Sequence, residues 1–288
     1  METAGAQRNR LRAQVQALMT VPFTKPDLTR QRLIALEGGC NFRDIGGYRT
    51  LDGRTVRWGQ VYRAGVLSYF TAGDRDRLVG LGVRVICDLR RVEEREREPT
   101  AWPADATHAL SWEDGPDAPT IRGYFARHPH SAAGMRAAMI DLYRALPAWM
   151  APRMRGFLEC LSSGKTPLIV HCAAGKDRTG IAVAVLLALL GVPRDLIIED
   201  YLLTNHTTDY EQFVLSRQAA RMGVPHAKHP LLELGEDIRR VLFGAQLEFL
   251  DAALQQIDRD FGAVDAYVSS IVGVDLQAQR QIESHLLI

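Results

Sequence analysis

Cys172 and Arg178 stand six positions apart, with Asp177 directly before the arginine, and these are the residues whose types and spacing can do chemistry. They lie between a short apolar run, Pro167 to His171, and an apolar stretch of helical length that begins at Thr179. A chain that reverses between a buried strand and a helix turns successive backbone N–H groups inward. Together with the helix N-terminus, those donors make an anion cradle. Its residues are Ala173, Ala174, Gly175, Lys176, Asp177 and Arg178, and phosphate suits their chemistry. The same donors favour a thiolate over a thiol, which makes Cys172 a nucleophile. Arg178 offers a planar fork that can grip two phosphate oxygens and follow them into the transition state. The chemistry expected of this spacing is displacement at phosphorus through a thiophosphate on Cys172, with inorganic phosphate as product.

Such a displacement needs a carboxyl group to protonate the leaving oxygen and later to activate water. Asp177, inside the loop, is the first choice. Asp88 is the second: it ends an apolar stretch, Val83 to Leu89, which reaches the same sheet edge if it is a parallel neighbour of Leu168 to His171. Its alternative role is to brace a loop. Asp105, Asp114 and Asp117 rank behind both. Gly175 permits the tight turn, and the Thr179 hydroxyl is expected to donate to the Cys172 sulfur. His171 either orders the loop from beneath or is a satisfied core histidine. Lys176 adds a flexible positive charge at the mouth of the cradle, or is a solvated loop lysine. Two other patterns fail: Gly164-Lys165-Thr166 lacks the earlier glycine of a nucleotide-binding loop because Glu159 stands there, and Trp102-Pro103-Ala104-Asp105 has a residue too many for a mobile acid loop.

The elements that must position this loop are legible in outline. With 288 residues, 47% of them hydrophobic, the chain can build one sizeable α/β core. A segment 1–27 reads as an N-terminal arm interrupted by Pro22 and Pro26, and 28–288 as one domain. The glycine pairs around Asn41 to Tyr48 imply tight turns, and Leu51-Asp52-Gly53-Arg54 signals a hairpin in a small antiparallel portion. A helix from Thr71 to Leu81 then leads into the buried strand Val83 to Leu89. The charged run Arg90 to Glu98 reads as a solvated segment, and Trp102 to His130 as a long irregular loop. Helices are expected over Ala132 to Leu146 and Arg153 to Leu161, separated by Pro147 and Pro152. From Thr179 onward the pattern is helical to the end, with a long amphipathic helix from Leu232 to Ile257 and a break at Gly223 to Pro230.

Thirty-five basic against thirty-four acidic residues leave a net charge of +1, which gives no global field for nucleic acid. The longest apolar run, Ile181 to Val192, is too short to span a bilayer, so no stable membrane insertion is expected. Cys40, Cys87, Cys160 and Cys172 lack the paired spacing of a zinc site, and neither metal nor cofactor is expected. The N-terminal residues show no continuous apolar signal core, which points to the cytoplasm and leaves open export without a cleaved signal.

Four stretches in order resemble a known group: Asn41-Phe42-Arg43-Asp44-Ile45-Gly46-Gly47, Asp88-Leu89-Arg90, His171 through Gly180, and Tyr201-Leu202-Leu203-Thr204-Asn205. Together they are similar to the bacterial atypical tyrosine and lipid phosphatases of the mycobacterial protein tyrosine phosphatase B type. The resemblance implies a cysteine-phosphatase fold with a central, mostly parallel sheet flanked by helices, a helical C-terminal extension, and no metal. It implies Asp177 as general acid with Asp88 close to the substrate, and associates Lys176 with activity on phosphoinositides as well as phosphotyrosine. It also implies a helical lid after Tyr201, for which 207–257 is the candidate segment, although ordinary packing or a dimer face explains the Leu232 to Ile257 pattern equally well. Cys87 is read as a core thiol in preference to an oxidation partner of Cys172.

The expected function is hydrolysis of phosphomonoesters on phosphotyrosine proteins and phosphoinositides. The alternatives are a primarily phosphoinositide-directed enzyme, a sulfurtransferase, and a non-catalytic phosphate-binding module. Binding alone needs no nucleophile or acid, and sulfur transfer has less need of Arg178 and Asp177.

Overall fold

A computed structural model describes residues 31–102, 107–115, 118–222 and 230–288. The expected arm at 1–27, most of the expected break at Gly223 to Pro230, and Asp105 and Asp117 lie outside the described residues.

Five short strands form one sheet: β1 (Arg43–Asp44), β2 (Val61–Ala64), β3 (Val85–Asp88), β4 (His108–Leu110) and β5 (Leu168–His171). Their spatial order is β1-β2-β5-β3-β4, antiparallel only at the β1–β2 edge and parallel elsewhere. The apolar runs form strands here because a parallel sheet buries both faces. Val61, Val85, Cys87, Leu168 and Val170 enter one core, while Tyr62, Ala64, Ile86 and Ile169 enter the other. The registers pair both Ala64 and Asp88 with His171. All three central strands therefore end at one level, and the segment starting at Cys172 leaves from that edge. This is the crevice at the carboxyl ends of strands where α/β sheets place ligands.

Helices α1 (Ala72–Val79), α2 (Val92–Arg97), α3 (Ile121–Phe125), α4 (Ala132–Ser162), α5 (Asp177–Leu189) and α6 (Arg194–Leu202) surround the sheet. The C-terminal extension continues with α7 (Thr204–Thr207), α8 (Tyr210–Met222), α9 (Glu236–Phe243), α10 (Leu247–Phe261), α11 (Val264–Tyr267) and α12 (Leu276–Leu286). No helix among the described residues is long and apolar enough to cross a membrane.

Several expectations need correction. Residues 132–162 form one helix, with Pro147 and Pro152 inside it. Each interior proline costs about 3 kcal/mol. Burial of Leu142, Leu146, Met150, Met154, Phe157, Leu158 and Leu161 along one face offsets that, at about 1.5–3 kcal/mol for each large side chain. The charged run Arg90 to Glu98 is solvated only in part: Glu93, Glu96 and Arg97 are exposed, but Arg90 is fully buried and Glu98 nearly so. The long loop contains β4 and α3. The single helix expected over Leu232 to Ile257 is broken at Gly244, and α10 sends Phe249, Leu250, Ala253 and Ile257 into the main core.

Phe157, fully buried near the C-terminal end of α4, measures how much of the fold depends on that long helix. Phe157→Ala is expected to lower unfolding free energy by about 3–5 kcal/mol in urea titrations, with little change in the denaturant slope.

Candidate active site

The loop between β5 and α5 is shaped from below. Two of its carbonyls point down: Ala174 O accepts from Asn41 Nδ2 at 3.2 Å, and Gly175 O accepts from Asn41 Nδ2 at 2.8 Å and from Arg63 Nη2 at 2.7 Å. In a trans peptide the C=O and the following N–H point in opposite directions. Anchoring these carbonyls beneath the loop therefore turns the N–H groups of Gly175 and Lys176 to the other side. Among the described residues, the N–H groups of Ala173, Ala174, Gly175 and Lys176 donate to no protein acceptor. Backbone donors left unpaired together form an anion-binding nest.

Gly175 has a φ of +66°, and a Cβ there would come within 2.5 Å of the Ala64 carbonyl carbon. The loop thus lies directly on the end of β2, and only glycine fits. At Gly180, in the first turns of α5, an added Cβ would stand 2.9 Å from the Tyr201 ring.

The anchors under the loop are themselves held by Asp200. Its carboxylate accepts from Arg43 Nε at 3.3 Å and pairs with Arg63 Nη1, while its backbone carbonyl accepts from Arg43 Nη2 at 2.7 Å. Arg43 Nη1 also donates to Asn41 Oδ1. Burial would raise the Asp200 pKa, but the two guanidiniums outweigh it and hold the carboxyl below its ordinary value. Burial and the neighbouring Arg63 lower Arg43 to about 10.

Cys172 begins the loop with only 1% of its surface exposed. Arg178 reaches back toward the strand ends, where Nη1 and Nη2 donate to Glu94 Oε2 and Oε1 at 2.5 and 2.7 Å. Burial would raise the Glu94 pKa, yet the attraction of Arg178 brings it down to about 2. The same pair keeps Arg178 charged against the effect of burial. Asp177 Oδ1 accepts from the Tyr143 hydroxyl at 2.6 Å, and Tyr143 is 2.7 Å from the Tyr201 hydroxyl. Asp177 and Arg178 line a cavity of about 140 Å³ whose other walls include Ile121, Met139, Leu142, Leu146 and Trp149.

Three residues are placed otherwise than expected. Lys176 is not at the mouth of the cradle: it is buried, and Nζ donates to Leu242 O at 2.6 Å and Gly244 O at 3.1 Å at the C-terminal end of α9. A helix C-terminus attracts a cation, which accounts for the choice of partner. The expected bond from Thr179 to the Cys172 sulfur is absent, and Thr179 Oγ1 has no hydrogen-bond partner among the described residues. Asp88 is spent on bracing: Arg90 Nε and Nη2 donate to its two oxygens at 2.9 and 2.6 Å, and His171 Nε2 stands 3.5 Å away. Burial opposes the Asp88 charge, but His171 and Arg90 together hold its pKa below the ordinary value. Asp88 thus takes its alternative, loop-bracing role. Asp114 is ion-paired to Arg153 at 2.7 Å.

All four cysteines are free and buried. Cys87 interacts with Cys160, and that hydrogen bond together with burial pushes its thiol up. Cys40 lies beneath the loop with Sγ 3.8 Å from Ala174 O, and burial pushes it up to about 12.

Residues missed by the sequence reading include Glu94, Arg63, Asp200 and Tyr143. Glu94 was hidden in a run of charges, and its partner is 84 positions away. Asn41, Arg43 and Tyr201 fall in stretches already singled out, without an assigned role.

The depressed Glu94 pKa fixes a pH window. Its pairing contributes stability fully above the ordinary value of 4.5 and loses it as pH falls through about 2. Between pH 4.5 and 2, unfolding free energy is therefore expected to fall more steeply for the wild type than for Glu94→Gln, as read by denaturant titration at each pH.

Residues 34–288 match the model of a tyrosine phosphatase family. A Cupriavidus necator protein whose name places it among the tyrosine-protein phosphatases is 33% identical over 262 residues, covering 88% of each chain. The triple specificity protein phosphatase PtpB of Mycobacterium tuberculosis is 28% identical over 257 residues, covering 81% of this chain and 91% of its own. A tyrosine-protein phosphatase of Nostoc commune is 29% identical over 148 residues, about half of each chain. With a family model spanning most of its length and a loop of unpaired donors at the carboxyl edge of its sheet, this chain belongs to the tyrosine phosphatase family.

Proposed function

We propose that the chain is a cysteine-dependent phosphomonoester hydrolase whose nucleophile is Cys172. The observation that carries this reading is the position of Cys172 at the head of a loop with four unpaired N–H groups, with Arg178 and Asp177 at its far end. The phosphate sits in the cradle and the Cys172 sulfur attacks phosphorus in line. An S–P bond forms as the bond to the leaving oxygen breaks, and the Asp177 carboxyl gives its proton to that oxygen. Water then attacks the thiophosphate, Asp177 takes up the water proton, and the thiolate departs. Arg178 stabilises charge on the equatorial oxygens in both steps. Glu94 keeps the guanidinium charged and aimed while holding Nη1 and Nη2.

The preferred substrate is a phosphotyrosine side chain. The apolar wall formed by Ile121, Met139, Leu142, Leu146 and Trp149 beside Asp177 and Arg178 suits an aromatic leaving group. The argument for phosphoinositides drawn from Lys176 is weaker than its sequence suggests, because that ammonium is occupied by the Leu242 and Gly244 carbonyls. A relative named for triple specificity still warrants testing lipid and phosphoserine substrates. In this reading the lid is narrower than 207–257, since α10 belongs to the core and α9 sends Ile238 and Val241 into the same core, which leaves α8.

Phosphate release from a phosphotyrosine peptide, a phosphoserine peptide and a phosphoinositide panel tests the assignment. Metal-independent turnover is expected in the presence of a chelator, highest on phosphotyrosine and reduced to background in Cys172→Ser. Arg178→Lys is expected to lower kcat/KM by about 100-fold or more, because a point charge replaces a two-pronged donor. Cysteine-independent release, or tight phosphate binding without release, would replace this reading with a different chemistry or a binding module.

A further inference from the structure

The hydrogen bonds behind Asp177 run in one direction. The direction is set at the carboxylate, which accepts from the Tyr143 hydroxyl. The Tyr201 hydroxyl lies 2.7 Å from that of Tyr143, and the Tyr143 hydroxyl 2.6 Å from Asp177 Oδ1. Each phenol has one proton. If Tyr143 donated to Tyr201 instead, the buried Tyr201 proton would have no acceptor among the described residues. With Tyr143 donating to Asp177, its one proton is spent and both phenol protons find an acceptor: Tyr201 donates to Tyr143, and Tyr143 to Asp177. Burial, with the nearby Asp177 charge, raises the pKa of both phenols above the ordinary tyrosine value, so both keep their protons. Asp177 Oδ2 makes no protein hydrogen bond among the described residues, and Asp177 lines the cavity.

We propose that Tyr143, backed by Tyr201, is a positioning residue that occupies Asp177 Oδ1 as an acceptor and so confines the transferable proton to Oδ2. The proposal rests on the reading of Asp177 as general acid. In the protonated carboxyl a proton on Oδ1 would face the Tyr143 donor and clash with it, so the proton sits on the other oxygen. During P–O cleavage it passes from Oδ2 to the leaving oxygen, and the resulting carboxylate keeps its bond from Tyr143. The phenols carry no proton to substrate; they set which oxygen delivers it and hold the carboxyl plane.

The test compares kcat/KM, which reports steps through departure of the leaving group, for phenyl phosphate and 2,4-dinitrophenyl phosphate. Only the first ester needs its leaving oxygen protonated. Asp177→Asn is expected to lower the phenyl phosphate value by about 100-fold or more and the dinitrophenyl value far less. Tyr143→Phe is expected to lower the phenyl phosphate value by about tenfold while changing the dinitrophenyl value by less than about threefold. In the Asp177→Asn background, Tyr143→Phe should leave the ratio of the two esters unchanged, because the group it positions is gone. Equal loss on both esters, no loss, or full additivity in the double variant overturns the proposal while leaving the acid reading intact. If Asp177→Asn slows both esters alike, the acid reading fails and the proposal with it. Should Tyr143→Phe not fold, as judged by its denaturation curve, Tyr201→Phe carries the test: a smaller selective loss on phenyl phosphate supports the proposal, and an unselective change overturns it.

Discussion

Asp200 is a buried carboxylate between two fully buried guanidiniums, Arg43 and Arg63, and the shape of the candidate site depends on it. Removing such ions from water costs several kcal/mol each, and the cluster offsets this by matching its donors and acceptors, Arg63 Nε excepted among the described residues. Arg63 also reaches Gly175 O, and Asn41, held through Arg43, reaches Ala174 O and Gly175 O. The cluster thereby converts buried charge into a direction: two carbonyls face down, so the neighbouring amides face the cradle. A loop closed by its own local hydrogen bonds would have spent those amides.

A second layer of charge works at the strand ends. Asp88 holds Arg90, and the following helix α2 carries Glu94 to Arg178. The register that aligns Asp88 with His171 sets this geometry, since it brings the start of α2 level with the start of the loop. Arg178 is thus restrained from β3 and α2, while the loop that precedes it is restrained from β1, β2 and α6. The two supports share no residue, and an anion in the cradle would bridge them.

What could be read from the sequence followed from periodicity and local spacing. The apolar runs at Val85 and Leu168 are strands because they are apolar on both faces, and the cysteine–arginine loop is recognisable because its residues are contiguous. The misreadings came from partners that the local pattern does not pair, near in sequence for Arg90 and distant for Glu94 and Lys176. Arg90 and Glu94 look like solvated charges until Asp88 and Arg178 are beside them, and Lys176 looks free until the C-terminal end of α9 arrives 66 positions later. Pro147 and Pro152 read as helix ends because local propensity cannot register the long apolar face that tertiary packing rewards. Tyr143 carried no signal at all: one tyrosine on a buried helical face is indistinguishable from core until its hydroxyl is seen against Asp177.

Cys172 and Lys176 are both buried, and Lys176 ties the loop to the end of α9. Its two hydrogen bonds involve a charged donor, so each contributes about 1.5–3 kcal/mol. A phosphate dianion in the cradle offers the same ammonium a stronger partner than two neutral carbonyls, and it lies close to a loop that already contains Lys176. The ammonium is also 3.6 Å from Asp177 Oδ1, so a change of partner would alter the charge felt by the proposed acid. On the proposed reading, then, Lys176 couples occupancy of the cradle to the electrostatics of proton transfer, a role that follows from its burial and would be lost if it stood free at the mouth.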